Sequence, residues 1–161
     1  MCLVSLVIRR YQPEDADAVW SLHVAGLRQL GIYAPGPWED DLRDVEGCYL
    51  SAGEFLVGFI ADELVAMGGL RMLRPGVGEI KRMRVRPDLQ GRGLGRAMLL
   101  QLERRAHELG VRELRLDTTP QQEAAIGLYR AHGYTEVGRE TNADFELISF
   151  TKRLPSPKPT S

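Results

Sequence analysis

The stretch that decides the fold is Val85–Leu99, VRPDLQGRGLGRAML. A β-like run closes at Arg86, a proline turn follows, and Gly91, Gly93 and Gly95 precede an apolar-periodic run. Glycine loses more backbone freedom on folding than any other residue. Arg92 and Arg96 place like charges close together in the same segment. Both costs are offset if the segment cradles an anion. Successive N–H groups at a helix start point one way, the helix dipole adds positive potential, and glycines let the backbone approach a pyrophosphate. Two commoner phosphate loops are excluded by spacing. A dinucleotide fingerprint needs Gly-x-Gly-x-x-Gly, and here the third glycine comes one residue early; a P-loop ends in Gly-Lys-Ser/Thr, which is absent.

Outward from this loop the elements fall into order. Downstream, Gly93 to Leu109 reads as a helix with an apolar stripe at Leu94, Met98, Leu102, Ala106 and Leu109, stopped by Gly110. VRELRLDT reads as a strand, Thr119 to His132 as a helix ended by Gly133, and Tyr134–Gly138 and Phe145–Leu154 as closing strands. Upstream, Leu3–Arg10 reads as an opening strand. Pro13–Leu30 reads as a helix with acids in its first turn, and APGPWEDDLRDV as a turn and a short acidic helix. Glu54–Ala61 and Leu64–Leu73 form a hairpin turning at Asp62-Glu63, and Pro75-Gly76 turns the chain into a strand from Val77 to Arg86. In that last strand the apolar step from Ile80 to Met83 is three where a strand face needs two. A β-bulge restores the phase and frees a backbone N–H for a ligand. Hairpins plus one β-α-β crossover imply an α+β fold with a mixed, mostly antiparallel sheet flanked by helices.

The run Gln90-Gly91-Arg92-Gly93-Leu94-Gly95 resembles the acyl-CoA loop of the GNAT N-acetyltransferases, Gln/Arg-x-x-Gly-x-Gly/Ala between a strand and a helix. GEIKRMRV is similar to that family's fourth strand, ELRLDTT to its fifth, and AAIGLYRAHGY to its closing helix and turn. The resemblance spans about residues 55–153 and is strongest over 77–138. It implies a single GNAT-like acyltransferase domain over residues 1–154, with acetyl-CoA as cosubstrate and a primary amine as acceptor. It also implies direct attack of the amine on the thioester. The cofactor-binding positions that follow are the strand residues Met83, Arg84 and Val85 and the loop residues Gln90, Gly91, Arg92, Gly93, Leu94, Gly95 and Arg96.

Tyr129 matches the family tyrosine near the sulfur and is the candidate acid for the CoA thiolate; an ordinary tyrosine pKa near 10 is not far above a thiol's, about 8.5. Glu79 is the candidate base, acting through a water, since a strand-interior carboxylate seldom sits there without a purpose; an ion pair with Lys81 is the competing role. Many relatives carry asparagine where this chain has Gln122. Gln122 is therefore a cofactor candidate, and it also completes a capping box with Thr119.

Composition bounds the rest. A chain of 161 residues with 43% hydrophobic and 27% charged residues suits one globular domain, and PSPKPTS (155–161) reads as a disordered tail. The net charge of −1 gives no drive toward nucleic acid or membrane, and the basic cluster Lys81, Arg82, Arg84, Arg86 lacks interleaved aromatics for base stacking. Cys2, Cys48 and three scattered histidines suggest no metal site, and the absence of a signal-like or spanning segment points to the cytoplasm. The chain is read as a monomer or homodimer. Glu39, Asp40, Asp41 and Asp44 form an acidic run on the acceptor side, either a cation-attracting pocket or a solvated helix start. The alternative to an enzyme is an acyl-CoA-binding sensor without turnover.

Overall fold

The computed structural model describes residues 5–31, 37–141 and 146–155, so Cys2, Leu3 and Val4 of the expected opening strand, the start of the expected turn at 34–36, Phe145 of the expected last strand and the tail after Pro155 lie outside the described residues. Seven strands make one sheet: β1 (Val7–Arg10), β2 (Glu54–Ile60), β3 (Glu63–Arg74), β4 (Val77–Val85), β5 (Glu113–Thr118), β6 (Thr135–Thr141) and β7 (Glu146–Arg153). Their order is β1-β2-β3-β4-β5-β7-β6, and only β4–β5 is parallel. That parallel pair is the one joined by a helical crossover, as its geometry requires.

Helix α1 (Ala16–Gln29) covers one face and α2 (Leu94–Glu108) the other. The stripe read from the sequence explains α2: Met98, Leu102 and Ala106 are buried with Leu99 against Leu70, Ile80 and Leu114. On the α1 face Val19 and Leu22 pack with Tyr49, Phe55 and Met67. Helix α3 (Glu123–Ala131) follows β5 and buries Tyr129.

Four local readings are corrected. The β2–β3 hairpin turns at Ala61-Asp62, both left-handed (φ +50° and +66°), so β3 begins at Glu63. The expected second helix is instead a 3₁₀ stretch (Pro37–Arg43) followed by one π-type turn (Glu46–Leu50). Strand β6 runs on to Thr141. Helix α3 starts four residues later than read, because Thr119 does not cap it. The Gln122 N–H that a capping box needs goes to the Thr119 carbonyl at 3.0 Å, closing a turn, and Gln122 itself stands at the cap position.

The irregular step in β4 is a bulge. Met67 pairs with Arg84 and Gly69 with Lys81, so three steps on β4 oppose two on β3. The extra residue is Arg82, whose φ of +59° is left-handed.

Candidate active site

β4 and β5 pair only over Val77–Glu79 against Glu113–Arg115. Beyond Glu79 the strands part, and β5 continues against β7 alone. The Arg86 N–H reaches the Val65 carbonyl at 2.8 Å. Alternation along β4 therefore points the Arg84 N–H toward β3 and the N–H groups of Met83 and Val85 into the gap. Their carbonyls face the same way: Arg84 Nη1 donates to the Met83 oxygen at 3.3 Å and Gln90 Nε2 to the Val85 oxygen at 3.1 Å. The side chains of Met83 and Val85 meanwhile pack against the α2-side core.

A cleft of about 410 Å³ opens from this gap, walled by α1, β4, the glycine loop and α3. Met83, Arg84, Val85, Gln90, Gly91, Gly93, Leu94, Gly95, Arg96, Gln122 and Tyr129 all line it; Arg92 and Glu79 do not. Gly91 and Gly93 take φ of +79° and +85°, the conformation only glycine adopts at no steric cost, and a Cβ at either would meet nothing within 4 Å. Gly93 stands at the cap of α2, and the first intrahelical bond runs from Ala97 N–H to its carbonyl. The N–H groups of Leu94, Gly95 and Arg96 thus have no partner within the helix and open on the cleft. This is the cradle a pyrophosphate fits. Arg96 is exposed at its edge. Gln90 has a structural job: besides bonding Val85, its amide exchanges hydrogen bonds with Gln29 of α1 at 3.0 Å, tying the loop to that helix.

Tyr129 packs edge-on against Tyr134 with ring centroids 5.7 Å apart, and its hydroxyl has no hydrogen-bond partner among the described residues. Burial pushes that hydroxyl up to about 12, with the Arg84 charge pulling the other way. The close pKa match to a thiol read from the sequence is therefore absent, because burial disfavours the phenolate.

Glu79 projects to the α1 face at the point where the strands part, between Arg71 on β3 and Arg115 on β5. Burial raises its carboxyl above the ordinary range; Lys81 and Arg71 pull it down and Asp117 pushes it up. No ion pair with Lys81 forms within 4 Å.

On the α1 face the acidic run splits in two. Asp40 and Asp44 serve local contacts, to Arg43 at 2.7 Å and to the Gly47 N–H at 3.1 Å. Glu39 and Asp41 turn inward. Arg82 holds Asp41 with a two-point contact at 2.7 and 3.0 Å, and the Tyr49 hydroxyl donates to the same carboxylate. Burial pushes the Asp41 carboxyl up, but these donors outweigh it and leave it below the ordinary range. Neither a cation pocket nor a solvated helix start describes this arrangement. The basic cluster disperses likewise, with Arg86 on Glu63 and Asp88, Arg82 on Asp41, and Arg84 in the cleft. His23 of α1 is fully buried beside Glu39, with Nε2–Oε1 at 3.6 Å. Burial, then the charges of Arg84 and Arg82, push His23 down to about 4.

The α1 wall of the cleft (Gly26, Gln29, Leu30) was not anticipated from the sequence. One signal was present: Gly26 interrupts an otherwise well-formed helix, which calls for a packing reason. Among the described residues no cluster of His, Cys, Asp and Glu could hold a metal ion, and no helix is long and apolar enough to cross a membrane.

Comparison with known proteins agrees with the geometry. The IAA acetyltransferase of Azospirillum brasilense is 35% identical over 135 residues, covering 83% of this chain and 87% of that one. A GNAT-family acetyltransferase from Staphylococcus aureus superposes with a TM-score of 0.85 at 18% identity over 94% of this chain and all of its own. The PaiA N-acetyltransferase of Thermoplasma acidophilum, solved with coenzyme A, gives 0.71 at 20% identity, covering 93% of this chain and 99% of its own. Residues 18–134 match the acetyltransferase (GNAT) family as a whole, and the chain belongs to that family of acetyl-CoA-dependent N-acetyltransferases.

Proposed function

We propose that this chain moves the acetyl group of acetyl-CoA to a primary amine by direct attack of the amine on the thioester. The observation that carries the reading is the continuity of the cleft, from the partner-free N–H groups at the start of α2, along the gap-facing N–H groups of Met83 and Val85, to the Tyr129 hydroxyl. The α2 end holds the pyrophosphate, with Arg96 adding charge and Arg92 acting only at longer range. The strand N–H groups hold the pantetheine amides and polarise the thioester carbonyl, which takes up negative charge during attack. Gln122, at the mouth of α3, contacts the pantetheine arm.

Glu79 receives the proton of the amine through a water. A carboxyl raised by burial is a stronger base than an ordinary one. Tyr129 stays protonated throughout the neutral range and donates a hydrogen bond to the departing sulfur. Handing over its proton completely is uphill by about 3.5 pKa units, about 5 kcal/mol, so its part is to stabilise the thiolate charge. The domain occupies residues 1–154 with a tail beyond, acts as a monomer or homodimer, and works in the cytoplasm, which suits the exposed free thiol of Cys48.

Release of free thiol from acetyl-CoA in the presence of a pooled amine panel, with acetylated products identified by mass spectrometry, tests the reading. Tight CoA binding without thiol release from any amine would favour the sensor instead.

A further inference from the structure

Among the described residues, Arg84 is placed unlike the other cations. Its side chain leaves β4 on the face opposite Met83 and Val85, opposite Met67 of β3, and so lies under α1. There it lines the cleft with Tyr129. Its Nε is buried without a hydrogen-bond partner, and among the described residues no carboxylate stands within ion-pair distance of its guanidinium. Glu39 is within electrostatic reach, but its carboxylate lies against His23. A buried cation without a counter-ion is costly, and proteins ordinarily pair one.

The neighbouring helix is built around this side chain. A Cβ on Gly26 would stand 2.8 Å from Arg84 Cδ and 2.9 Å from Nε. Glycine is the poorest non-proline residue for a helix interior, so α1 gives up stability to seat Arg84. No ion pair of the described fold takes up the charge that is seated. Tyr129 is neutral at physiological pH, and the Met83 carbonyl takes one donor of the five that a guanidinium carries.

We infer that Arg84 is the anion-binding residue of the acceptor site, and that the acceptor is a small amine carrying a carboxylate, of the amino-acid class. This rests on the acetyltransfer reading above. The planar fork of the guanidinium matches a carboxylate with two parallel bonds, and pairing removes the penalty of the lone buried charge. It also orients the acceptor. With the carboxylate fixed on the α1 face, the amine of the same molecule is held beside the gap that the Met83 and Val85 N–H groups face. A phosphate of the cosubstrate is a poorer occupant, because the partner-free N–H groups at the start of α2 already supply that anion site at the far end of the cleft.

The experiment compares amino acids with their amides, methionine against methioninamide and phenylalanine against phenylalaninamide, and so on through the common side chains. The amide keeps the shape and loses the negative charge. It also has the more readily deprotonated amine, so intrinsic reactivity favours it. Wild-type enzyme is expected to show kcat/KM at least tenfold higher for the acid, and Arg84→Gln, assayed at saturating acetyl-CoA, to abolish that preference. Gly26→Ala, which displaces Arg84 without altering its chemistry, is expected to raise KM for the acids in the same direction, and it serves if Arg84→Gln fails to fold. Equal or better use of the amides by the wild type overturns the inference, as does an equal loss on acids and amides in the variants. Thiol release from other amines with no amino acid accepted also overturns it and leaves the acetyltransfer reading standing. Failure of CoA to bind, or CoA binding without turnover of any amine, overturns both.

Discussion

Tyr129→Phe removes one hydroxyl from the wall of the cleft and leaves the ring. The ring packs on Tyr134 and Phe150, with centroids 5.7 and 6.4 Å away, and phenylalanine keeps both contacts. The hydroxyl has no partner in the described protein, so no hydrogen bond within the fold is lost, and stability should stay within about 0.5 kcal/mol of wild type. The effect on the reaction should be larger. With its pKa pushed up to about 12, the group bears its proton at every working pH and in the proposed role is a neutral donor to a charged sulfur. A hydrogen bond to a charged group contributes about 1.5–3 kcal/mol, which is roughly a 10- to 150-fold fall in kcat when it is lost. Acetyl-CoA affinity should change little, since in the proposed site binding rests on the backbone of the loop and of β4. The assay is thiol release at saturating acetyl-CoA, with thermal denaturation and calorimetric CoA binding on the same preparations. The reasoning also fixes the pH profile: a donor that never titrates below about pH 10 adds no alkaline limb of its own, so the two proteins should have profiles of the same shape. Full kcat in the variant, under conditions where chemistry limits the rate, would refute a role at the sulfur and leave Tyr129 as a wall of the site.

Gly95→Asp and Gly93→Asp separate binding from folding. Gly95 lies inside α2 with ordinary contacts of 3.5 and 3.8 Å around its Cβ, and an acid there favours the helix start, so the protein should fold normally yet lose CoA affinity at least 100-fold by calorimetry. Gly93 has a φ of +85°, and the same change there should also cost about 1–2 kcal/mol of stability by chemical denaturation. CoA at 100 times its dissociation constant should stabilise the wild type by about 2.7 kcal/mol, and an unchanged melting curve at millimolar CoA would count against the cradle. Glu79→Gln should slow turnover most at low pH, where the amine is protonated, and recover partly as pH rises; a uniform loss across pH 6–10 would make Glu79 structural. His23 is neutral in the fold and held down at about 4, below the ordinary value of 6.5, so the unfolded chain binds the extra proton. Its contribution is complete above about pH 6.5 and is lost as pH falls toward 4, by up to about 3 kcal/mol, and His23→Gln should flatten that part of the stability–pH curve.

The part of the site built by backbone was legible in the sequence, and the part built by side chains meeting across the sheet was not. The loop from Gln90 to Gly95 announces itself because glycine is chosen for a conformational reason that holds whatever the tertiary context, and Gly91 and Gly93 do adopt that conformation. The bulge at Arg82 was visible as a break in strand phase, since a period of two admits no silent insertion. Thr119 shows where local rules fail. Its capping box is correct by composition, but the Gln122 N–H had a competing acceptor in the Thr119 carbonyl, and spacing alone does not rank the two. The acidic run failed for a different reason. Glu39 and Asp41 are close in sequence to Asp40 and Asp44 yet face inward, because their partners His23 and Arg82 come from α1 and β4. Which of four similar carboxylates meets a buried cation is decided by tertiary register, and no local pattern carries that.

The bulge joins these two levels. Arg82 sits in a left-handed conformation that costs a non-glycine residue about 1–2 kcal/mol, and such strain persists only where the surroundings hold it. What holds it is the two-point contact to Asp41, itself bonded by Tyr49. The extra residue shifts the phase of everything beyond it on β4. Without it, the faces of residues 83 to 85 would exchange: Met83 and Val85 would point their side chains under α1 and their N–H groups at β3, while Arg84 would turn into the core packed by Met98 and Leu102. With it, the apolar pair closes the α2-side core, their N–H groups face the gap, and Arg84 reaches the cleft beneath α1. A single inserted residue therefore sets both the proposed thioester side and the proposed acceptor side of the cleft. The Asp41–Arg82 pair fixes the bulge from outside the cleft, since neither residue lines it.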